Sequence, residues 1–179
     1  MPEWWRKYWP GVLLGIVACL VPFWWWWWFG CGSATTLMVV RHADRLGSQD
    51  ALNASGQVRA QELVHVGQKA GIVAIYRSDT DRSRDTAAPL AAALGLTPVA
   101  YPAADVTTLV NGIFADHPGE TVFVVGHSDT VPQILAAAGG PTLPAIDPTE
   151  FDNLFVLTAC RCRRGLATVV NLQYGALSP

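Results

Sequence analysis

Three runs of five residues, rich in apolar β-branched side chains, constrain how this chain can fold. They span 36–40, 72–76 and 121–125, and none of them alternates polar with apolar residues. Strands of this kind are buried on both faces, as in a parallel sheet covered by helices. Helix-forming stretches separate the three runs. The order therefore predicts an α/β fold, arranged as a three-layer α/β/α sandwich with a largely parallel sheet.

The remaining segments fit the same alternation. A helix over 56–69 follows Ser55, which we interpret as its N-cap, and an Ala-rich helix over 81–94 ends at Gly95. Pro89 predicts a kink in the second helix. The other predicted elements are a strand at 98–101, helices at 105–115 and 130–138, and a closing pair of strands at 151–159 and 167–174.

The N-terminal segment has a different composition. Residues 10–30 carry no charge and, as a helix, would extend about 30 Å, the thickness of a bilayer core. Arg6 and Lys7 precede this run, which favours a cytoplasmic N-terminus, and the tryptophans at 24–28 are typical of a membrane interface. We therefore predict a single transmembrane helix, with the domain that follows on the extracytoplasmic side.

Two alternatives for this segment stay open. A cleaved signal peptide would release a secreted domain, and a lipoprotein signal ending at Cys19 would tether the domain by a lipid. In each case residues 1–33 form a stub and an anchor or signal, and residues 34–179 form the folded domain. The four cysteines show no zinc-ligand spacing.

Polar residues gather where the three buried strands end. Arg41 and His42 follow the first strand, Arg82 comes soon after the second, and His127 and Ser128 follow the third. Ligands bind at the carboxyl ends of the strands in open α/β sheets. A formal net charge of −2 offers no basic surface for nucleic acid, so a small anionic ligand fits better.

Four blocks of sequence around these residues match one family. Val-Arg-His-Ala-Asp at 40–44, Leu-Asn-Ala-Ser-Gly at 52–56, the stretch 78–87 with Arg82 and Thr86-Ala87, and Val-Gly-His-Ser at 125–128 occur in that order. This pattern resembles the motifs of the histidine phosphatase (phosphoglycerate mutase-like) superfamily. The chain is most similar to the small, compact members of that superfamily.

The resemblance implies a role for each matched residue. His42 would be the nucleophile that forms a phosphohistidine, while Arg41, Arg82 and His127, with Ser128 beside them, would bind the phosphoryl group. A neutral imidazole can form such a covalent intermediate, and guanidinium groups match the geometry of phosphate oxygens. The resemblance implies neither a metal nor another cofactor.

The proton donor to the leaving group is less defined. Asp105 is the first candidate, because it follows the predicted strand at 98–101 and a carboxylic acid can act as a general acid. Asp129 is the second candidate, with helix capping as its alternative role. Asp44 is the third, and we expect it to act indirectly.

The sequence thus predicts a membrane-attached, metal-independent phosphomonoesterase for a phosphorylated small molecule or a phosphoprotein. Two alternatives stay open: a non-catalytic pseudo-phosphatase that binds phosphorylated ligands, and a phosphoglycerate-mutase-type phosphotransferase. Mutases of the family carry a longer insertion between the block with the second arginine and the block with the second histidine, whereas Arg82 and His127 here are only 45 residues apart. Loops at 46–52, 103–108 and 139–149 are expected to set the specificity.

Overall fold

The computed structural model describes residues 33–45, 47–160 and 164–178, and within these it contains six strands and four helices. The strands are β1 (Thr35–Arg41), β2 (Ile72–Ser78), β3 (Val99–Tyr101), β4 (Thr121–Gly126), β5 (Asn153–Ala159) and β6 (Thr168–Gln173). The helices are α1 (Ala54–Gly67), α2 (Asp81–Leu94), α3 (Val106–Asp116) and α4 (Thr130–Ala137), and a short 3-10 helix spans Arg164–Leu166.

The six strands form one mixed sheet in the order β3-β2-β4-β1-β5-β6. The strands from β3 to β1 are mutually parallel, whereas β5 pairs antiparallel with β1 and β6 pairs antiparallel with β5. Arg41 lies opposite Gly126, so β1 and β4 end side by side in the middle of the sheet. The residues that follow these two strands therefore meet at one edge.

Helices cover both faces of the sheet. Leu37 and Val39 face α3 and α4, while Met38 and Val40 face α1 and α2. Of these four side chains, Leu37, Val39 and Val40 are fully buried and Met38 is 6% exposed. Alternate residues of β1 thus enter opposite cores, as expected for a strand buried on both faces. The rigid centre of the sheet holds the ends of β1 and β4 in place.

The α/β class is confirmed, but the sheet is mixed rather than largely parallel. A parallel pair needs a crossover of about a dozen residues or more, and the connection between β5 and β6 is too short for one. The N-cap prediction at Ser55 is wrong. α1 begins at Ala54, and the side chain of Asn53 accepts a hydrogen bond from the Gly56 N–H at 2.8 Å. α2 continues through Pro89.

The predicted transmembrane helix falls within residues 1–32, which lie outside the described residues. In the part of the chain that the structure does describe, no helix is long and apolar enough to cross a bilayer. The predicted domain boundary at residue 33 and the membrane attachment therefore stay predictions.

Candidate active site

His42 directly follows β1 and is only 3% exposed. Its backbone N–H donates to the Gly126 carbonyl at 2.9 Å, which links the ends of β1 and β4. Its ring Nδ1 lies 2.8 Å from the Ala43 carbonyl. A carbonyl can only accept a hydrogen bond, so Nδ1 carries the proton and Nε2 of the neutral ring keeps a free lone pair.

Burial keeps this imidazole neutral. It lowers the pKa of His42 from its ordinary value near 6.5 to about 3, and the positive charges of Arg41 and Arg82 act in the same direction. The hydrogen bond to Ala43 opposes this shift but does not reverse it. Near neutral pH the ring is therefore an uncharged base with a defined orientation, as nucleophilic catalysis by histidine requires.

His127 follows β4 and lies beside His42, with ring centroids 5.3 Å apart in an edge-to-face arrangement. Its backbone N–H donates to the Thr130 side chain at 2.8 Å. Its Nδ1 lies 3.4 Å from Nη2 of Arg82, and a guanidinium can only donate. Nδ1 of His127 is therefore the acceptor, which leaves its Nε2–H as a donor. Burial lowers the pKa of this ring as well.

Arg41 is buried at the end of β1 and is held by the segment that precedes β5. Its Nη1 donates to the carbonyls of Asp147 at 2.8 Å and Glu150 at 2.7 Å, and its guanidinium carbon lies 4.0 Å from the centre of the Phe151 ring. Burial lowers the pKa of Arg41 to about 10. Its Nε is buried and has no acceptor within the described residues.

Arg82 lies in the first turn of α2, where Asp50 binds it. Its Nη1 donates to Oδ1 of Asp50 at 2.9 Å. The helix itself is joined to the end of β1, because the Ala43 N–H donates to Oγ1 of Thr86 at 2.9 Å and this hydroxyl donates to the Arg82 carbonyl at 2.7 Å. Nε of Arg82, like that of Arg41, is buried without an acceptor in the described chain.

These side chains line a cavity of about 340 Å³ at the carboxyl ends of the parallel strands. His42, His127, Arg41 and Arg82 all contribute to its wall, together with Ser128. The structure thus brings together five of the six residues that we predicted for the site. A buried pair of imidazoles flanked by two guanidinium groups is suited to binding a tetrahedral dianion.

The three candidate proton donors lie in different environments. Asp105 is exposed, does not line the cavity, and accepts a hydrogen bond from the Thr108 N–H at 3.3 Å as the N-cap of α3. Asp44 forms a 2.6 Å ion pair with the buried Arg59. Asp129 lines the cavity, and its side chain makes no capping bond to α4. Its predicted alternative role as a cap is therefore not realised.

A larger depression, of about 600 Å³, lies against α1 and the C-terminal segment. Its buried cation, Arg59, already donates to Asp44 and to the carbonyls of Tyr174 and Ala176. With these donors occupied, Arg59 has little capacity left for an anion. The smaller cavity with the two histidines is therefore the candidate active site.

Sequence reasoning missed several contributors. Asp50, Phe151 and the cavity-lining Arg45 occur in loops, and although the loop at 46–52 was expected to affect specificity, no periodicity or motif singled out any of these three residues. The carbonyls of Asp147 and Glu150 could not have been found, because every residue type carries the same carbonyl group. Within the described residues, no group of three or more His, Cys, Asp or Glu side chains is placed to hold a metal ion.

Comparisons with solved structures show what the fold resembles. The protein histidine phosphatase SixA, complexed with tungstate, is 18% identical with a TM-score of 0.60, covering 77% of this chain and 96% of SixA. A mycobacterial glucosyl-3-phosphoglycerate phosphatase is 18% identical with a TM-score of 0.58, covering 80% and 99%. Phosphoglycerate mutase from Plasmodium falciparum is 17% identical with a TM-score of 0.54, covering 82% and 94%. At such identities the likeness establishes the fold alone.

A search of the curated proteins finds no significant match. The family model of the histidine phosphatase superfamily (branch 1) matches residues 37–105. This match contains the first three motifs, and the fourth, with His127, lies beyond it at the adjacent strand end. The family-model match over residues 37–105 and the shared fold show that this chain resembles the histidine phosphatase superfamily.

Proposed function

We propose that this protein is a metal-independent phosphomonoesterase that acts through a phosphohistidine on His42. The observation that carries the proposal is the pairing of two buried rings 5.3 Å apart whose free nitrogens have opposite character. His42 offers a lone pair at Nε2, and His127 offers an N–H donor. A nucleophile beside a hydrogen-bond donor is what attack on a phosphoryl group requires.

The first step transfers the phosphoryl group to the protein. Nε2 of His42 attacks phosphorus as the bond to the leaving oxygen breaks. The Nε–H groups of Arg41 and Arg82, which have no acceptor in the described chain, donate to the equatorial oxygens. His127 donates to a further oxygen. We propose that Asp129, rather than Asp105, protonates the leaving oxygen, because Asp129 lines the cavity and Asp105 does not.

The second step returns the protein to its starting state. A water molecule attacks the phosphorus, the P–Nε2 bond breaks, and the Asp129 carboxylate takes the proton of the water. Phosphate leaves and His42 is again a neutral imidazole with its proton on Nδ1. The hydrogen bond from Nδ1 to the Ala43 carbonyl can persist through both steps, which keeps the ring aligned.

The test uses the full chain in detergent, with and without His42→Ala, on an aryl phosphate in the presence of a metal chelator. Turnover that resists the chelator and is lost in His42→Ala is expected. Rapid alkaline quenching followed by mass spectrometry should locate an acid-labile phosphate on His42. A protein that binds phosphate analogues but turns over no phosphoester would instead be a pseudo-phosphatase.

We further propose that the N-terminal segment attaches the catalytic domain to a membrane, with the domain on the extracytoplasmic side. The uncharged run at residues 10–30 and the preceding Arg6 and Lys7 support this topology. In sealed inverted membrane vesicles, a C-terminal tag should then be protected from added protease until detergent is present. Digestion of the tag in intact vesicles would place the domain on the cytoplasmic side.

A further inference from the structure

Asp50 makes three hydrogen bonds to the start of α2. Its Oδ2 accepts from the Asp81 N–H at 2.9 Å, and its Oδ1 accepts from the Arg82 N–H at 3.2 Å. The third bond comes from Nη1 of Arg82 at 2.9 Å. One carboxylate therefore contacts both the backbone and the side chain of Arg82.

The backbone contacts replace a missing local cap. Thr80 occupies the N-cap position of α2, yet its side chain makes no capping bond to the helix. The Thr80 hydroxyl donates instead to Ser83 at 3.0 Å. Asp50 supplies the acceptors from the loop that joins β1 to α1, at a sequence distance of 31 residues from Asp81. The first turn of α2 is thereby fixed to that loop.

The side-chain contact restrains the guanidinium of Arg82. With Nη1 bound to Asp50, Nη2 lies 3.4 Å from Nδ1 of His127, and Nε is buried without an acceptor in the described chain. The Arg82 side chain is 20% exposed, and the bond to Asp50 restricts the rotamers open to its guanidinium. Restraining a long side chain before a ligand arrives removes part of the ordering cost of binding.

We infer that Asp50 is a positioning residue for phosphoryl binding, which acts by holding the Arg82 guanidinium against His127. This inference rests on the proposed use of Arg82 as a phosphate ligand. The new element is that part of the affinity of the site for a phosphoryl group comes from a loop residue that does not line the cavity. The carboxylate acts through Arg82 and not on the phosphoryl group.

A carboxylate at position 50 can also act against phosphoryl binding, and the two effects predict opposite changes in affinity when Asp50 is removed. A carboxylate paired with Arg82 could compete with a phosphoryl group for the same guanidinium, so that its removal would strengthen binding. The side chain of Asp50 is 46% exposed, and solvent screens much of its repulsion toward an anion in the cavity. The restraint on Arg82 should therefore outweigh the repulsion.

Tungstate binding measured by calorimetry tests the inference without requiring turnover. We expect Asp50→Asn to weaken tungstate binding by about three- to tenfold, because the amide keeps one acceptor oxygen for a helix N–H group but loses the charged bond to Arg82. Asp85→Asn is the matched control. It removes the negative charge of the 2.9 Å partner of Arg84 on the same helix without touching Arg82, and it should leave the affinity unchanged.

The decisive comparison is a double-mutant cycle with Arg82→Ala. If Asp50 acts through Arg82, then Asp50→Asn causes no further loss of tungstate affinity in the Arg82→Ala protein. An equal loss in both backgrounds would mean a general structural role and would overturn the inference. So would unchanged or tighter binding in Asp50→Asn alone. Asp50→Ser is a second variant, which retains a small capping oxygen. Its melting temperature is measured together with that of Asp50→Asn.

The outcomes also separate this inference from the proposed activity. Wild-type protein that binds tungstate with the expected coupling, but hydrolyses no phosphoester, would remove the activity and leave the positioning role of Asp50 intact. Wild-type protein that turns over an aryl phosphate, with tungstate affinity independent of Asp50, would keep the activity and reject the positioning role. Failure of the wild type to bind tungstate would overturn both the phosphate pocket and the role of Asp50.

Discussion

The ends of β1 and β4 carry the same short pattern, a histidine, a small residue and an aspartate, and yet they differ in chemistry. At the first end the ring Nδ1 of His42 donates to a backbone carbonyl. At the second end the ring Nδ1 of His127 accepts from a guanidinium. Because each neutral imidazole carries one proton, the first ring presents a lone pair and the second an N–H. The partner of Nδ1, and not the residue type, sets the role of each ring.

The two aspartates diverge in the same way. Asp44 pairs with Arg59 at 2.6 Å in a largely buried contact that joins β1 to α1. The tight fit of this junction is visible at Gly56, where a Cβ atom would collide with the Asp44 carbonyl. Asp129 faces the cavity instead. One His-x-Asp segment thus combines the proposed nucleophile with a structural carboxylate, and the other combines a hydrogen-bond donor with a candidate acid.

The largest expected effect comes from removing the ring at the β1 end. His42→Ala should lower kcat on any phosphomonoester by at least about a thousandfold, since no other described group at the site offers a comparable nucleophile. Steady-state turnover and covalent labelling with a radioactive phosphoester measure this together. Substantial residual turnover with no labelled protein would mean that water attacks directly and that the two rings are not divided into nucleophile and donor.

Removing the ring at the β4 end should have a smaller effect. His127→Ala should lower kcat/KM by about a hundredfold, as observed when a single transition-state donor is lost, while His42 can still be phosphorylated. His127→Gln is the matched variant, because its amide can offer an N–H donor near the position of Nε2. Recovery of part of the activity by Gln supports the donor role. Loss of all labelling of His42 in His127→Ala would contradict it.

The next largest effect on the rate of hydrolysis should come from Asp129, and its size should depend on the leaving group. Asp129→Asn should slow hydrolysis of an alkyl phosphate by about 30- to 100-fold while affecting an activated aryl phosphate far less, because only the poor leaving group needs a proton. Asp105→Asn is the control and should leave both rates near the wild-type values. A slower hydrolysis of the alkyl phosphate in Asp105→Asn but not in Asp129→Asn would mean that Asp105, our first candidate from the sequence, is the proton donor.

Asp44→Asn should mainly lower the stability of the protein, whereas Asp129→Asn should mainly lower the rate of hydrolysis. It leaves the buried Arg59 without its charged partner, so the free energy of unfolding should fall by about 3 kcal/mol. Denaturant titration of both variants measures this difference. Equal destabilisation by the two substitutions would mean that the aspartates are not divided between structure and chemistry.

The sequence allowed much of this arrangement to be predicted, because buried strands leave a regular signal. The runs that form β1, β2 and β4 were recognisable, and the edge where Arg41, His42 and His127 gather followed from them. The fixed geometry of a parallel sheet made that inference possible. The antiparallel position of β5 and the function of Asp50 were not accessible in this way. Both depend on contacts distant in sequence, and neither has a periodic pattern.

The smallest predicted effect concerns stability and again separates the two histidines. The pKa of His42 is about 3 in the folded protein and near 6.5 in the unfolded chain, so the unfolded chain binds more protons as the pH falls between these values. The free energy of unfolding contributed by His42 is therefore lost on acidification, by at most about 1.4 kcal/mol per pH unit.

His42→Asn removes this titration and should flatten the stability profile between pH 6 and pH 4 relative to wild type, as measured by urea unfolding at each pH. The pKa of His127 is lowered in the same direction, so His127→Asn should also flatten the profile. The effect should be weaker, because residue His127 is 9% exposed against 3% for His42 and therefore loses less hydration on folding. Profiles for His42→Asn that run parallel to wild type would mean that the first ring is not held neutral by burial. The lone pair at its Nε2 would then be unavailable in mild acid, and the division between the two strand ends would be lost.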